Sequence, residues 1–317
     1  MDGAAMSALL WKPTLAATLP PDADLDALPY PLYASPKIDG FRCMGQRGTA
    51  VTRKGLTYRN TAVRALFEQS DGEYEGLDGE LCVGPPWAAD VFNRTQNCVN
   101  TGGPAAADEF RRYGALWVID IVDRGEDIRE SDYFSDRHEW LRNKSSMWSK
   151  HFKLISQVLI RNAKQLANYE ARCLAKGYEG VMLRRGDAGP YLRKPGKENR
   201  STLREFYLVK LKRFEYDEAV ITGWRHLEHN LNEEKTAAGR RSTRKDGRVI
   251  DAAQVGSATL RNKKFGAFNV TVPTNELRGK GDAWWDAAVG TRIRFKYQLA
   301  GTKDKPRILT ATFGELL

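Results

Sequence analysis

The sequence contains no run of about 18 consecutive apolar residues, the length a bilayer core demands, so no membrane-spanning helix is expected. Cysteine is scarce. Cys43, Cys82, Cys98 and Cys173 lie far apart with no Cys-x-x-Cys pair, which argues against a disulfide framework or zinc site and fits a reducing compartment. The four histidines, His138, His151, His226 and His229, lack partners at the spacings metal sites use and read as surface residues. The opening Met-Asp-Gly-Ala-Ala-Met-Ser has neither the basic start nor the apolar core of a secretory signal, so a cytosolic chain is expected. Gly279-Lys280-Gly281 lacks the surroundings of a P-loop and reads as a turn. No internal repeat occurs.

What is present is a chain of 317 residues, 41% hydrophobic and 10% aromatic, enough for a sizeable core and, at this length, two domains. Its formal charge is +10. Residues 1–213 carry 32 basic and 27 acidic side chains; residues 214–317 carry 18 and 13, the same surplus on half the length. Six basic residues and one acid fall within Lys235–Arg248, so this loop equals the whole surplus of the second region. Such a patch points to a polyanionic partner.

The texture of the chain supports the division. Residues 1–30 read as an extended arm. From Tyr33 to Phe214, strand patterns alternate with helices. Strands are expected at YASPKIDGFRCMGQ, TAVTRKG, GLDGELCVG, Ala115–Val122 (ALWVIDIV), EGVMLRR and REFYLVKLKRF, and helices over Thr61–Gln69, Ser131–Asn143 and Ile160–Lys176. After Phe214 come short alternating strands, EAVITGW, GSATLRN, GAFNVTVP, TRIRFKYQL and RILTATF, which suit a small antiparallel barrel of the OB type. Trp284-Trp285 is assigned to the core of that barrel. The expected fold class is therefore α+β, with one domain over residues 1–213 and an OB-type β-barrel over 214–317 that carries a basic loop, 235–248.

Charged residues embedded in the strands carry the functional signal. Lys37-Ile-Asp-Gly-Phe-Arg42, Leu77-Asp78-Gly79-Glu80-Leu81, Glu179-Gly180-Val181-Met182-Leu183 and Leu208-Val209-Lys210-Leu211-Lys212 all place charges among apolar neighbours. Burying such charges is costly unless they converge on a polar cleft. Carboxylates and lysines converging there make a site for phosphates and a divalent metal.

These segments, in this order and with Thr52-Arg53-Lys54-Gly55 after the first, resemble the motifs of the covalent nucleotidyltransferase superfamily, which includes ATP-dependent DNA ligases and mRNA capping enzymes. The compact length and Ala-Lys-Gly-Tyr-Glu-Gly before the fourth motif look most like small bacteriophage-type DNA ligases. The resemblance implies an ATP-grasp-like nucleotidyltransferase domain of antiparallel sheets with helices, followed by the OB-type domain. It implies ATP and Mg²⁺ (or Mn²⁺) as cofactors, nicked double-stranded DNA as partner, a monomer, and the host cytosol if the chain is viral. By resemblance Lys37 is the nucleophile, and Lys210 and Lys212 supply the cationic field that favours a neutral attacking amine. Asp39 and Arg42 hold the ribose, Glu80 and Glu179 serve ribose or metal, and Ser35, Pro36 and Ile38 complete the nucleotide site. Trp117 occupies the neighbourhood of an adenine-stacking aromatic, with Asp120 in the same strand. Arg53 is the clamp on a nick 5′-phosphate. Arg59, with Lys235, Arg240, Arg241, Arg244, Lys245 and Arg248 of the loop, is assigned to the DNA backbone.

The sequence departs from the family in two places. Ser35 stands where many relatives carry a glutamate that reads the adenine amino group, and Lys303-Asp304-Lys305-Pro306-Arg307 only loosely resembles the basic final motif. RNA ligase, capping-type guanylyltransferase and a non-catalytic OB-fold DNA-binding protein remain alternatives at this stage.

Overall fold

A computed structural model describes residues 11–70, 72–122, 133–188, 200–233, 245–298 and 307–316. The chain divides after Lys212 into two compact units. Among the described residues no helix is long and apolar enough to cross a membrane.

The first unit runs β1 (Ala17–Thr18), β2 (Leu32–Pro36), β3 (Phe41–Gln46), β4 (Thr49–Thr52), α1 (Thr61–Glu68), β5 (Leu77–Val83), α2 (Val91–Asn100), α3 (Pro104–Tyr113) and β6 (Gly114–Ile121). It continues through α4 (Phe134–Lys144), β7 (Phe152–Leu154), β8 (Val158–Ile160), α5 (Ala163–Lys176), β9 (Val181–Arg185) and β10 (Val209–Leu211). Two five-stranded sheets result, in the orders β1-β10-β9-β2-β8 and β4-β3-β5-β6-β7. All pairs are antiparallel except β1–β10 and β6–β7.

Local chemistry sets the helix ends. Asn60 caps α1 by accepting from Ala62 N–H at 2.9 Å, and its amide donates to the Cys98 and Ala106 carbonyls at 3.0 and 2.9 Å. One buried side chain thus ties α1, α2 and α3 together. Helix α5 begins at the Asn162 cap, because Ile160 is still paired with Leu32 in the sheet. It ends at Gly177, whose φ of 101° only glycine adopts without strain. Of REFYLVKLKRF, only Val209–Leu211 is strand. The first sheet packs Leu32, Ala34, Leu166, Val181, Leu183 and Val209 into one core; the second packs Phe67, Leu77, Leu81, Phe110, Leu116 and Leu141 into another.

The second unit contains β11 (Glu215–Asn230), β12 (Arg248–Asn262), β13 (Gly266–Thr271), α6 (Asn275–Arg278), α7 (Asp282–Ala288), β14 (Arg292–Gln298) and β15 (Arg307–Leu316). Its strands form one antiparallel sheet, β13-β12-β11-β14-β15, and among the described residues no ladder closes it into a barrel. Ile221, Leu260, Phe268, Trp285, Ile293 and Phe295 fill its core. Trp284 and Trp285 sit on helix α7 rather than on a strand; Trp285 is fully buried and Trp284 packs at the edge of the cluster.

Candidate active site

Strand β2 runs directly into Lys37. The Lys37 N–H donates to the Gly180 carbonyl at 2.8 Å, and the Glu179 N–H donates to the Lys37 carbonyl at 3.3 Å. At Gly180, φ is 152° and a Cβ would stand 2.3 Å from the Leu211 carbonyl oxygen, so only glycine lets the chain pass this close to β10. That approach sets Glu179 between two lysines. Lys37 Nζ donates to one carboxylate oxygen and Lys212 Nζ to the other. The Glu179 side chain is 3% exposed. Burial alone would raise its carboxyl, but Lys37 and Lys212 outweigh that and hold it below the usual range. Burial, then repulsion from Lys37, pushes the Lys210 and Lys212 ammonium groups down.

The opposing sheet supplies a second charged group. Arg42 lies opposite Glu80 in the β3–β5 ladder, and its guanidinium grips both oxygens of the fully buried Asp78. Glu80 is left 3.9 Å from the same guanidinium. Its burial outweighs Arg42 and Lys37, and Asp78 and Asp39 add to the effect, so its carboxyl is pushed up to about 7.

This has a consequence for stability. A folded-state carboxyl raised above its unfolded value holds a proton the unfolded chain has lost, so stability is full below about 4.5 and falls as pH rises to about 7. Glu80→Gln should leave nucleotide-free stability at pH 4 nearly unchanged and raise it at pH 8 by roughly 1–3 kcal/mol. Melting curves at the two pH values check this; an equal effect at both would mean Glu80 is already ionised at low pH.

A third group lies on β6. Asp120, 1% exposed, accepts from Arg137 Nε at 2.9 Å and Nη2 at 3.1 Å, and from Arg184 Nη1. Burial would raise its carboxyl, yet the two arginines hold it down to about 2. Phe134 stacks on His138, which is buried rather than on the surface, because α4 lays its inner face against Tyr33. Burial and Arg142 push the His138 imidazole down to about 4.

These groups border a cleft of about 340 Å³ inside the first unit. Ser35, Pro36, Lys37, Ile38, Arg42, Arg53, Glu80 and Lys210 line it, as do Ile119, Ile155, Met182, Leu183, Arg184 and Arg200. Glu179 and Lys212 reach the cleft through Lys37. Asp39, half-buried, follows Ile38 but is not a lining residue. Trp117 does not line the cleft either. It points to the same side of β6 as Ile119, two residues before it, with the Lys153 ammonium 5.4 Å from its ring centroid, and β6 contributes Ile119 to the cleft wall. Arg59 is exposed beside the α1 cap and lies outside the lining. In the second unit Lys245 is exposed and Arg248 pairs with Glu228 at 2.8 Å. Lys235, Arg240, Arg241 and Arg244, like Lys303 and Lys305, lie outside the described residues, and Arg307 begins β15.

Sequence reasoning did not single out Arg184, Arg200 or Gln157, all of which line the cleft. For Arg184 a signal existed: Gly180, Met182 and Arg184 alternate onto one strand face. For Arg200 and Gln157, outside regular alternation, none did. Among the described residues no three His, Cys, Asp or Glu side chains gather as a metal cluster. Glu80 is the acidic side chain lining the cleft, and Glu179 is engaged by lysines on both oxygens. That donor set fits a magnesium ion held mainly by nucleotide phosphates and water, not a protein cage.

No protein-family model and no curated protein sequence matches the chain. Solved structures do. A Chlorella virus DNA ligase-adenylate shares 28% identity, with 96% of this chain and 97% of that one aligned at a TM-score of 0.51. A second crystal structure of that ligase-adenylate gives 26% identity over 90% and 94% at 0.51. A Lig E DNA ligase, described as binding DNA with a minimal scaffold, gives 19% identity over 96% and 99% at 0.67, a likeness of fold. The chain thus shares its fold, over nearly its whole length, with DNA ligases.

Proposed function

We propose that this chain is an ATP-dependent DNA ligase that seals nicks in duplex DNA through a lysyl-AMP on Lys37. The observation that carries the reading is the Lys37–Glu179–Lys212 bridge at one end of a cleft that Arg42, Arg53, Arg200 and Lys210 also line. Its apolar residues Ile119, Ile155, Met182 and Leu183 give a slot for a base.

In this reading Lys37 Nζ attacks the α-phosphorus of ATP, the bond to pyrophosphate breaks, and AMP remains on the amine. Glu179 orients Nζ, while Lys210 and Lys212 neutralise phosphate charge. Asp78 fixes the Arg42 guanidinium beside the ribose, and Asp39 and Glu80 complete that side. Glu80 would be the side chain to hold a Mg²⁺ bound with ATP, which would further neutralise the phosphates. A DNA 5′-phosphate then displaces Lys37 from AMP, and the adjacent 3′-hydroxyl attacks that 5′-phosphate and releases AMP. Arg53, on the cleft rim, would clamp the 5′-phosphate, with Arg59 and the basic residues between β11 and β12 along the backbone. The active species would be a cytosolic monomer.

Incubation with radiolabelled ATP, dATP, GTP and NAD, followed by a fluorescent nicked duplex, tests the reading. Label from ATP and sealing of DNA are expected. Label from GTP alone would point to a capping-type guanylyltransferase, sealing of RNA only to an RNA ligase, and no label to a non-catalytic DNA-binding protein.

A further inference from the structure

We propose that the outer edge of β8, with the solvent face of α5 beside it, docks an extended acidic peptide of a partner protein, which adds to the first sheet as a further strand. The docking groove shares no lining residue with the cleft, so the proposal does not rest on the ligase reading.

Strand β8 ends the sheet β1-β10-β9-β2-β8. It pairs inward with β2, Ile160 opposite Leu32, Leu159 opposite Tyr33 and Val158 opposite Ala34. A strand uses only part of its N–H and C=O groups on one neighbour. Among the described residues no other backbone hydrogen bond involves Val158, Leu159 or Ile160, so the outward groups face solvent. Proteins usually guard such an edge with charge, proline or a bulge. Val158-Leu159-Ile160 carries none of these, and shortness is its guard. Val158 and Leu159 are each 37% exposed.

A groove of about 660 Å³ lies between this strand and Gln165, Asn168, Ala171 and Arg172 of α5, whose short or polar side chains leave room for those of a guest. The charge beside it has one sign. Lys164, Arg172 and Lys176 are exposed on α5, and Arg161 is exposed between strand and helix, whereas Glu170, the one acid in the helix, is buried. Among the described residues none of these four cations pairs with a carboxylate. Arg172 and Lys176 lie over aromatic rings instead, 5.8 Å from the Tyr169 centroid and 4.1 Å from that of Trp87. An apolar strand edge flanked by unpaired cations fits a chain that brings main-chain hydrogen bonds, alternate apolar side chains and carboxylates. Duplex DNA would satisfy the cations but neither the edge nor the apolar side of the groove.

The test uses the full chain and a fluorescent nonapeptide that alternates glutamate with valine. One control peptide carries lysine for glutamate. Two others carry N-methyl groups on every second residue, in the two possible frames, each of which blocks one edge of the peptide strand. Fluorescence anisotropy should show saturable binding of the acidic peptide, none of the lysine peptide, and a loss of about tenfold or more in one N-methyl frame. Amide NMR shifts on adding the acidic peptide should centre on Val158–Ile160 and α5. Lys164→Glu with Arg172→Glu, which keeps good helix formers, should weaken the acidic peptide by about tenfold or more and leave the melting temperature unchanged. Should that variant not fold, Lys164→Gln with Arg172→Gln is read the same way. No binding of the acidic peptide, equal binding of the lysine peptide, indifference to both N-methyl frames, or full binding by the charge-reversed chain overturns the proposal. Intact duplex DNA that shifts the same amides would make this a nucleic-acid surface and overturn it too.

Discussion

Lys37→Ala should reduce both label transfer from ATP and sealing of an ordinary nick to background, while sealing of a nick already carrying 5′-AMP persists. Among the lysines near the cleft, Lys37 alone is fixed on both sides of its peptide to the turn before β9. Lys212 is buried behind Glu179, and Lys210 sits two strands away opposite Met182. The Lys212 ammonium is held on the other oxygen of Glu179. The last step uses a DNA hydroxyl as nucleophile, so it needs the cleft but not the lysine. Removing Lys37 leaves Glu179 paired with Lys212, so the fold should survive. Gel detection of labelled protein and labelled DNA separates the steps; an acid-labile AMP adduct on the variant would show that another lysine is the nucleophile.

Glu179→Ala should lower the rate of lysyl-AMP formation by about 10²–10³, the usual effect of deleting one preorganised electrostatic contact. The carboxylate orients Lys37 and separates its charge from that of Lys212; without it two ammonium groups face each other in a nearly dry site. Stripping the partner from buried charges typically costs about 3–5 kcal/mol, so the melting temperature should fall as well. Glu80→Gln is expected to do the opposite above neutral pH, because Asp78 already engages the arginine nearest to it. The two carboxylates are thus distinguished by their partners. Near-normal adenylylation by Glu179→Ala at saturating Mg²⁺ would remove it from the site.

Much of this arrangement was legible from alternation. Charges at Lys37, Arg42, Glu80 and Lys210 stood among apolar neighbours, and the cleft gathers all four. The fold class followed from the same strands. Less legible were α2 and α3: Val91, Thr95, Cys98 and Val99 do recur at helical spacing, but polar residues between them weaken the pattern. Alternation also places Trp117 and Ile119 on one side of β6 without saying which overlies the cleft. The β5–β6 register also carries an irregularity between Asp78 and Gly79, a feature of the pairing and not of either strand alone. His138 reads as a surface residue if taken alone, yet Phe134, Arg137, His138 and Leu141 recur at helical spacing and form the buried face of α4, which also meets Tyr33, about a hundred residues earlier.

The pairing of β11 with β12 has a consequence for how the second unit opens. From Val220 to Trp224 the two strands form part of a sheet, with Ile221, Ala258 and Leu260 buried. Beyond the irregularities at Arg225 to Leu227 the same two strands continue as a ribbon, Leu227–Asn230 against Arg248–Asp251, in which no side chain is buried. Val249 and Ile250 are exposed there, and the Glu228–Arg248 and His229–Asp251 pairs lie along the ladder. A two-stranded ribbon with no buried face is marginal in water. One continuous strand therefore belongs to two cooperative units: its outer amides exchange with solvent through local fraying, and its inner amides only when the whole sheet unfolds.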